Sequence, residues 1–227
     1  MLDTIACDIT LIDGDPSAEF GDFSERHSVR KRADVLGRGG IQTWFETNQP
    51  SMSSTLEPNP ELENFFTGYS NRLTPFTRTD VETSKLDEVF SGEEFDFVKS
   101  DCQGSDLEIL KNGEKLLRSV KVIEIEVEFM EQYLGQPLFS EVEQYLRNRG
   151  FQFHKFSSYG SRPIKSLHQR KGEHSNHSQW LWAIAIFFRN ISSWTKMSKH
   201  DLAVLSLILG NCYASLDAAN YAASLIE

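Results

Sequence analysis

Cysteine is scarce in this chain: three in 227 residues, Cys7, Cys102 and Cys212. The number is odd and the spacing matches no zinc pattern, so neither a disulfide framework nor a zinc-ligand set underlies the fold. Such usage suits a reducing compartment, and a cytoplasmic setting is expected. Long hydrophobic runs are also lacking. The longest, Trp180 to Phe188, falls far short of the ~20 residues a membrane span needs, so no membrane span is expected. The N-terminus, MLDTIACDITLIDGDP, lacks the basic and apolar regions of a signal peptide. Positive charge is in deficit, with 23 Lys and Arg against 33 Asp and Glu and a net charge of -10. Non-specific nucleic-acid binding rests on cationic patches, so nucleic acid is not an expected partner. No G-x-G-x-x-G fingerprint occurs, and residues 1–10 hold no glycine.

What is present is typical of a globular chain, 39% hydrophobic and 25% charged. Ile9 to Ile12 is a short strand-like run closed by the turn residues Asp13-Gly14-Asp15-Pro16. Ile41 to Thr47 is rich in strand formers. Residues 48–60 carry three prolines and read as an ordered surface loop. Val81 to Ser84 reads as a short strand and Lys85 to Phe90 as one helical turn. Strand Phe95 to Ser100 then leads into helix Ser105 to Leu117, whose apolar residues recur with helical period. Lys121 to Phe129 alternates strictly: Ile123, Ile125, Val127 and Phe129 on one face, Glu124, Glu126 and Glu128 on the other. A helix from Leu138 to Arg149 ends at Gly150, a C′ glycine. Strand Phe151 to Phe156, a polar loop over 157–179 and an apolar strand Gln179 to Arg189 follow. Helices over 198–209 and 215–226 close the chain, with Ser198 and Ser215 as N-caps. Strands alternating with helices predict an α/β fold with a mostly parallel sheet.

Several residues are candidates for chemistry. Asp101 sits at the carboxyl end of a central strand, where open α/β sheets bind ligands. It suits a general base, and equally a helix N-cap. Gln103 and Gly104 shape the turn after it, and glycine there permits a close approach to the backbone. Asp106 falls in the first turn of the helix, where the macrodipole alone favours an acid. Three unpaired buried carboxylates are too costly, so the Glu124, Glu126 and Glu128 face must meet water, cations or a polar cleft. Glu126 and Glu128 can contact substrate or metal there; a solvated face paired with Lys99 or Lys121 is the alternative. His168, His174 and His177 lack an acidic or cysteine partner at metal-ligand spacing. Cys102 has no histidine at a recognisable spacing to activate it.

The segment Lys99-Ser100-Asp101-Cys102-Gln103-Gly104-Ser105-Asp106-Leu107-Glu108-Ile109-Leu110 closely resembles the core of the FkbM-type methyltransferases that use S-adenosylmethionine. Other pieces follow in order: Asp13-Gly14-Asp15-Pro16, Ser53-Ser54-Thr55-Leu56-Glu57-Pro58-Asn59, Thr83-Ser84-Lys85-Leu86-Asp87, Glu126-Val127-Glu128-Phe129 and Tyr133-Leu134-Gly135-Gln136-Pro137-Leu138-Phe139. Asp106 stands where the family usually has Glu. The resemblance implies a Rossmann-like methyltransferase sheet over residues 1–190, N-terminally incomplete with its first strand missing or truncated. A helical extension over 191–227 completes it.

It also implies S-adenosyl-L-methionine as cofactor, held by Asp13, Asp101, Gln103 and Gly104, with Asp13 accepting from the ribose hydroxyls. Asp101 and Glu126 are the expected catalytic residues, and Ser53, Ser54 and Glu128 the expected substrate contacts, with no metal ligands. The expected reaction is O-methylation of a small-molecule or glycan hydroxyl. The family's glycine-rich cofactor loop precedes the region matched here, which makes a truncated gene or fragment an expectation. A catalytically inactive interaction module is the alternative function.

Overall fold

The structure, a computed structural model, describes residues 5–14, 18–67, 72–165 and 178–226. The described chain forms three sheets. Strands β1 (Asp8–Ile12) and β2 (Ser28–Arg32) pair in parallel. Strands β3 (Gly40–Thr47) and β4 (Phe76–Thr83) pair antiparallel over their whole length. Strands β5 (Phe97–Ser100), β6 (Val122–Glu128), β7 (Phe151–Arg162) and β8 (Gln179–Arg189) form the central sheet in the order β5-β6-β8-β7.

This corrects the expectation of a mostly parallel sheet. Only β5 and β6 pair in parallel; β8 runs antiparallel to both of its neighbours. The cause is the insertion of β8 between β6 and β7, which share a direction and would otherwise lie side by side. The other parallel pair, β1 and β2, is a separate sheet, and β1 and β5 each pair on one side only among the described residues.

The periodicities explain the layers. The odd-numbered face of β6, with Ile123, Ile125 and Val127 fully buried, meets helix α2 (Leu86–Val89), helix α3 (Asp106–Lys111) and helix α4 (Phe139–Asn148) through Leu86, Leu107, Leu110, Val142 and Leu146. Fully burying such a side chain stabilises by roughly 1.5–3 kcal/mol. The even-numbered face starts apolar. Val122, with Ile186 and Phe188 of β8, packs on Trp194, helix α5 (Lys199–Tyr213) and helix α6 (Leu216–Ser224). Ser198 caps α5 by accepting from Asp201 N at 3.0 Å. Ser215 stands at the N-cap of α6 without capping it; its hydroxyl meets His154 Nε2 at 2.7 Å. Lys121 ties the helices to the sheet, reaching Asp96 at 2.7 Å and Asp201 at 2.8 Å.

The helix expected over 105–117 is shorter. It stops at Lys111, and a 3-10 turn over Leu116–Arg118 follows. Gly113 lies between them, where a side chain would collide with Leu86. Strand β4 is longer than the expected Val81 to Ser84, because pairing with β3 recruits the polar residues before it. β7 likewise runs on to Arg162 alongside β8, with three register shifts. A further helix, α1 (Leu62–Phe65), belongs to a small apolar cluster with Phe66, Leu73, Tyr133 and Leu181. No helix among the described residues is long and apolar enough to cross a membrane.

Candidate active site

The turn joining β5 to α3 needs two residues with positive φ, Gln103 at 49° and Gly104 at 87°. Glycine adopts this conformation without a steric cost. It also leaves room for Gln136: a Cβ on residue 104 would sit 2.5 Å from Gln136 Nε2. The close approach permitted at Gly104 is therefore that of a side-chain amide.

Asp106 closes the turn. It is 2% exposed, and its carboxylate accepts from Ser100 Oγ and, at 3.1 Å, from Cys102 N. Burial pushes its carboxyl up to about 6, although these hydrogen bonds pull it down. Asp101 is exposed and accepts from Gln103 Nε2 at 2.8 Å. It is not the helix cap, since Ser105 holds that position. Cys102 is pinned in the turn as a neutral thiol, its ionisation opposed by burial and by the neighbouring Asp106.

The 53–57 loop packs onto this turn. Ser54 Oγ donates to Gln103 O at 2.8 Å, and Thr55 and Ser105 share a hydrogen bond of 2.7 Å. Ser53 Oγ instead accepts from Thr47 N at 3.0 Å, which anchors the loop to β3. Tyr133, which is almost fully buried, donates to Met52 O at 2.7 Å and stands 3.3 Å from Gln103 Oε1. Gln136 Oε1 accepts from Gln132 N at 2.8 Å and Tyr133 N at 3.2 Å.

Glutamates 124, 126 and 128 meet three environments along one strand face. Glu124 pairs with Lys99 at 3.0 Å and accepts from Tyr213 Oη at 2.8 Å. The expected cation partner is thus found for Glu124, while Lys121 serves Asp96 and Asp201. Glu126 is 8% exposed and has no cation partner among the described residues. Burial, then the charges of Asp101 and Asp106, push its carboxyl up to about 8. Glu128 is 2% exposed, and burial followed by repulsion from Asp106, Glu126 and Asp101 raises it well above the usual carboxylate range. The Gln136 amide pulls it down in part without completing a hydrogen bond: Glu128 Oε1 and Gln136 Nε2 are both buried with no partner among the described residues. The cost of burying these acids is thus lowered by the shift toward their neutral, protonated form.

Asp101, Gln103, Gly104, Ser54, Glu126 and Glu128 therefore converge at the carboxyl ends of β5 and β6. Asp13 is exposed at the end of β1, in a different sheet, where its N–H donates to Arg32 O at 3.1 Å. His168, His174 and His177 lie outside the described residues. Among the described residues no group of His, Cys, Asp and Glu is placed to hold a metal ion. Tyr133 and Gln136 are parts of the site to which sequence reasoning gave no role. Their segment carried the signal, Tyr133-x-Gly135-Gln136, but nothing in its spacing says that both side chains turn back onto residues 103 and 104.

A group that combines an exposed carboxyl with two buried ones shifted toward the protonated form can both remove a proton and donate a hydrogen bond. A family model described as methyltransferase FkbM domain matches residues 17–153. No curated protein and no solved structure matches the chain.

Proposed function

The chain belongs to the methyltransferase FkbM domain family, and from that premise we propose that it transfers a methyl group from S-adenosylmethionine to the hydroxyl oxygen of a small molecule or glycan. The observation that carries this reading is the set of carboxyl groups, Asp101, Glu126 and Glu128, at the carboxyl ends of adjacent parallel strands.

Asp13 and the Asp101–Gly104 turn are the residues that would hold the cofactor. Asp13 offers two acceptor oxygens to a ribose diol, and the Asp101–Gly104 turn offers a carboxylate and an amide to its cationic part. When bound, the cofactor supplies an electrophilic methyl group on a positively charged sulfur. The chain's own residues do the rest. Asp101, which is exposed, takes the proton from the acceptor hydroxyl as that oxygen attacks. Glu126, protonated near neutral pH, donates a hydrogen bond that orients the oxygen. Glu128 Oε1, buried without a partner among the described residues, is an acceptor or donor for a second substrate hydroxyl. Ser54 holds the turn in place through Gln103 O. Most of the rate enhancement in such a site comes from positioning, with general-base help of about 10²–10⁴-fold. The three unpaired thiols accord with action in the reducing cytoplasm.

The test is titration calorimetry of the 227-residue chain with S-adenosylhomocysteine, followed by transfer of labelled methyl to candidate acceptors. The wild type is expected to bind, Asp13→Ala to bind at least tenfold more weakly, and Asp101→Asn to lose at least 100-fold in transfer. Absence of binding by the wild-type chain would refute the proposal and leave the interaction-module reading.

A further inference from the structure

Residue 103 is a glutamine in a backbone conformation that suits glycine, with φ at 49°. A residue with a Cβ enters this region at a steric cost, and Asn or Asp enters it more readily than a longer side chain. The turn itself therefore does not call for glutamine. We propose that Gln103 is a positioning residue for methyl transfer, its amide holding the Asp101 carboxylate in the orientation from which it takes the acceptor's proton. The assignment deepens the methyltransferase reading and rests on it for the reaction. It gives the amide a task beyond contact with the cofactor.

Exposure sets the need. Asp101 is exposed, and an exposed side chain changes rotamer in picoseconds to nanoseconds. A general base has to stay within hydrogen-bond reach of the proton it removes. The chain on either side of Asp101 is already fixed, because Asp106 accepts from Ser100 Oγ and, at 3.1 Å, from Cys102 N. What is left to hold is the Asp101 side chain itself. Gln103 Nε2 holds it, donating to Asp101 Oδ1 at 2.8 Å. One carboxylate oxygen is thus occupied, and Oδ2 is the one that meets the acceptor hydroxyl.

Gln103 is anchored in turn. A carboxylate accepts, so the N–H end of the amide faces Asp101. The other end, Oε1, stands 3.3 Å from Tyr133 Oη. That phenol has one hydrogen, which Met52 O holds more closely at 2.7 Å; Gln103 Oε1 takes the lesser share. Tyr133 is 1% exposed within the small apolar cluster, so it offers a firm post. The backbone of residue 103 is held as well, its carbonyl accepting from Ser54 Oγ at 2.8 Å. The glutamine is therefore gripped at its carbonyl and at Oε1 while Nε2 grips Asp101. A base oriented by a third group, itself locked by packing and hydrogen bonds, is how a site keeps a reactive side chain in place.

The experiment has one arm without cofactor and one with it. In the first, the side-chain amide of Gln103 is followed by NMR in the 15N-labelled full chain and assigned by its disappearance in Gln103→Met. Its protons should lie away from the position of a solvated glutamine and return to that position in Asp101→Ala. A Gln103 amide at the solvated position in the wild type, or one unmoved in Asp101→Ala, overturns the proposal. In the second arm, labelled methyl transfer to glucose and to glycerol is measured at saturating S-adenosylmethionine. Gln103→Gly and Gln103→Met are each made in the wild-type chain and in Asp101→Asn. Both should lower kcat about tenfold in the wild-type chain and by less than about twofold in Asp101→Asn, because groups that act as a unit are not additive. A cofactor contact alone would cost the same in both backgrounds, and equal losses overturn the proposal. So do unchanged kcat values. Gln103→Gly should unfold in urea at or above the wild-type midpoint, since glycine relieves the positive φ; a clearly lower midpoint makes residue 103 structural and overturns the positioning role. A wild-type chain that methylates neither probe counts against the methyltransferase reading, and the NMR arm then still decides whether Gln103 holds Asp101.

Discussion

Replacing Glu126 with Gln tests the buried, protonated carboxyl directly. Gln keeps the shape and hydrogen-bonding ends of protonated Glu and cannot ionise. In the unfolded chain Glu126 titrates near 4.5, and in the folded protein near 8. Between those values the native state holds the proton and the unfolded state does not. Folding stability from this group is thus fully present below pH ~4.5 and is lost as pH rises toward 8. At about 1.4 kcal/mol per pH decade, the loss by pH 8 is on the order of 4 kcal/mol. A compact unfolded state reduces it. A difference of that size is a large share of the 5–15 kcal/mol that holds a typical domain together. The assay is urea unfolding at pH 5, 6, 7 and 8 for both proteins. At pH 5 the two should be equally stable within about 1 kcal/mol. At pH 8 Glu126→Gln should be the more stable by about 3–4 kcal/mol. Glu128 and Asp106 leave the variant with a residual slope of the same sign. Parallel pH curves for wild type and variant would refute the reasoning, because they would mean that Glu126 ionises in the folded protein as it does in water.

Three further outcomes are expected. Gly104→Ala must hold a Cβ at φ 87° and displace the Gln136 amide, which should lower stability by about 1–2 kcal/mol in denaturant unfolding. Lys121→Met strands Asp96 and Asp201, both partly solvated; a loss of about 1 kcal/mol is expected, together with a weaker salt dependence of the thermal midpoint. Tyr133→Phe removes the hydrogen bond to Met52 O at a cost of about 1 kcal/mol; it should slow methyl transfer while leaving S-adenosylhomocysteine binding within a factor of about two in calorimetry.

Much of the architecture can be read from periodicity, because β6 and β8 are long enough for alternation or unbroken apolarity to dominate. Strand β8 was expected at Gln179 to Arg189, where it lies. The helix ending at Gly150 was legible because a glycine at φ 83° is the usual way to stop one. Strand β2, Ser-Val-Arg-Lys-Arg, was not legible: three consecutive cations with no alternation look like surface loop until β1 supplies the pairing. The site was legible by type but not by state. The cost argument for Glu126 and Glu128 assumed ionised groups and so placed them at water, cations or a polar cleft. Their raised pKa values come from burial and from the charges of Asp101 and Asp106, which is a property of separate segments meeting.

Strand β5 pairs on one side only among the described residues, and it is four residues long with Lys99 in its middle. A second chain docking along that margin would gain only about two ladder hydrogen bonds and would have to strip water from an ammonium group. Short, charged margins of this kind are how proteins avoid runaway edge-to-edge association. For the experimenter, this bears on sample behaviour: β5 gives little foothold for strand-mediated aggregation at the concentrations that titration calorimetry and NMR demand.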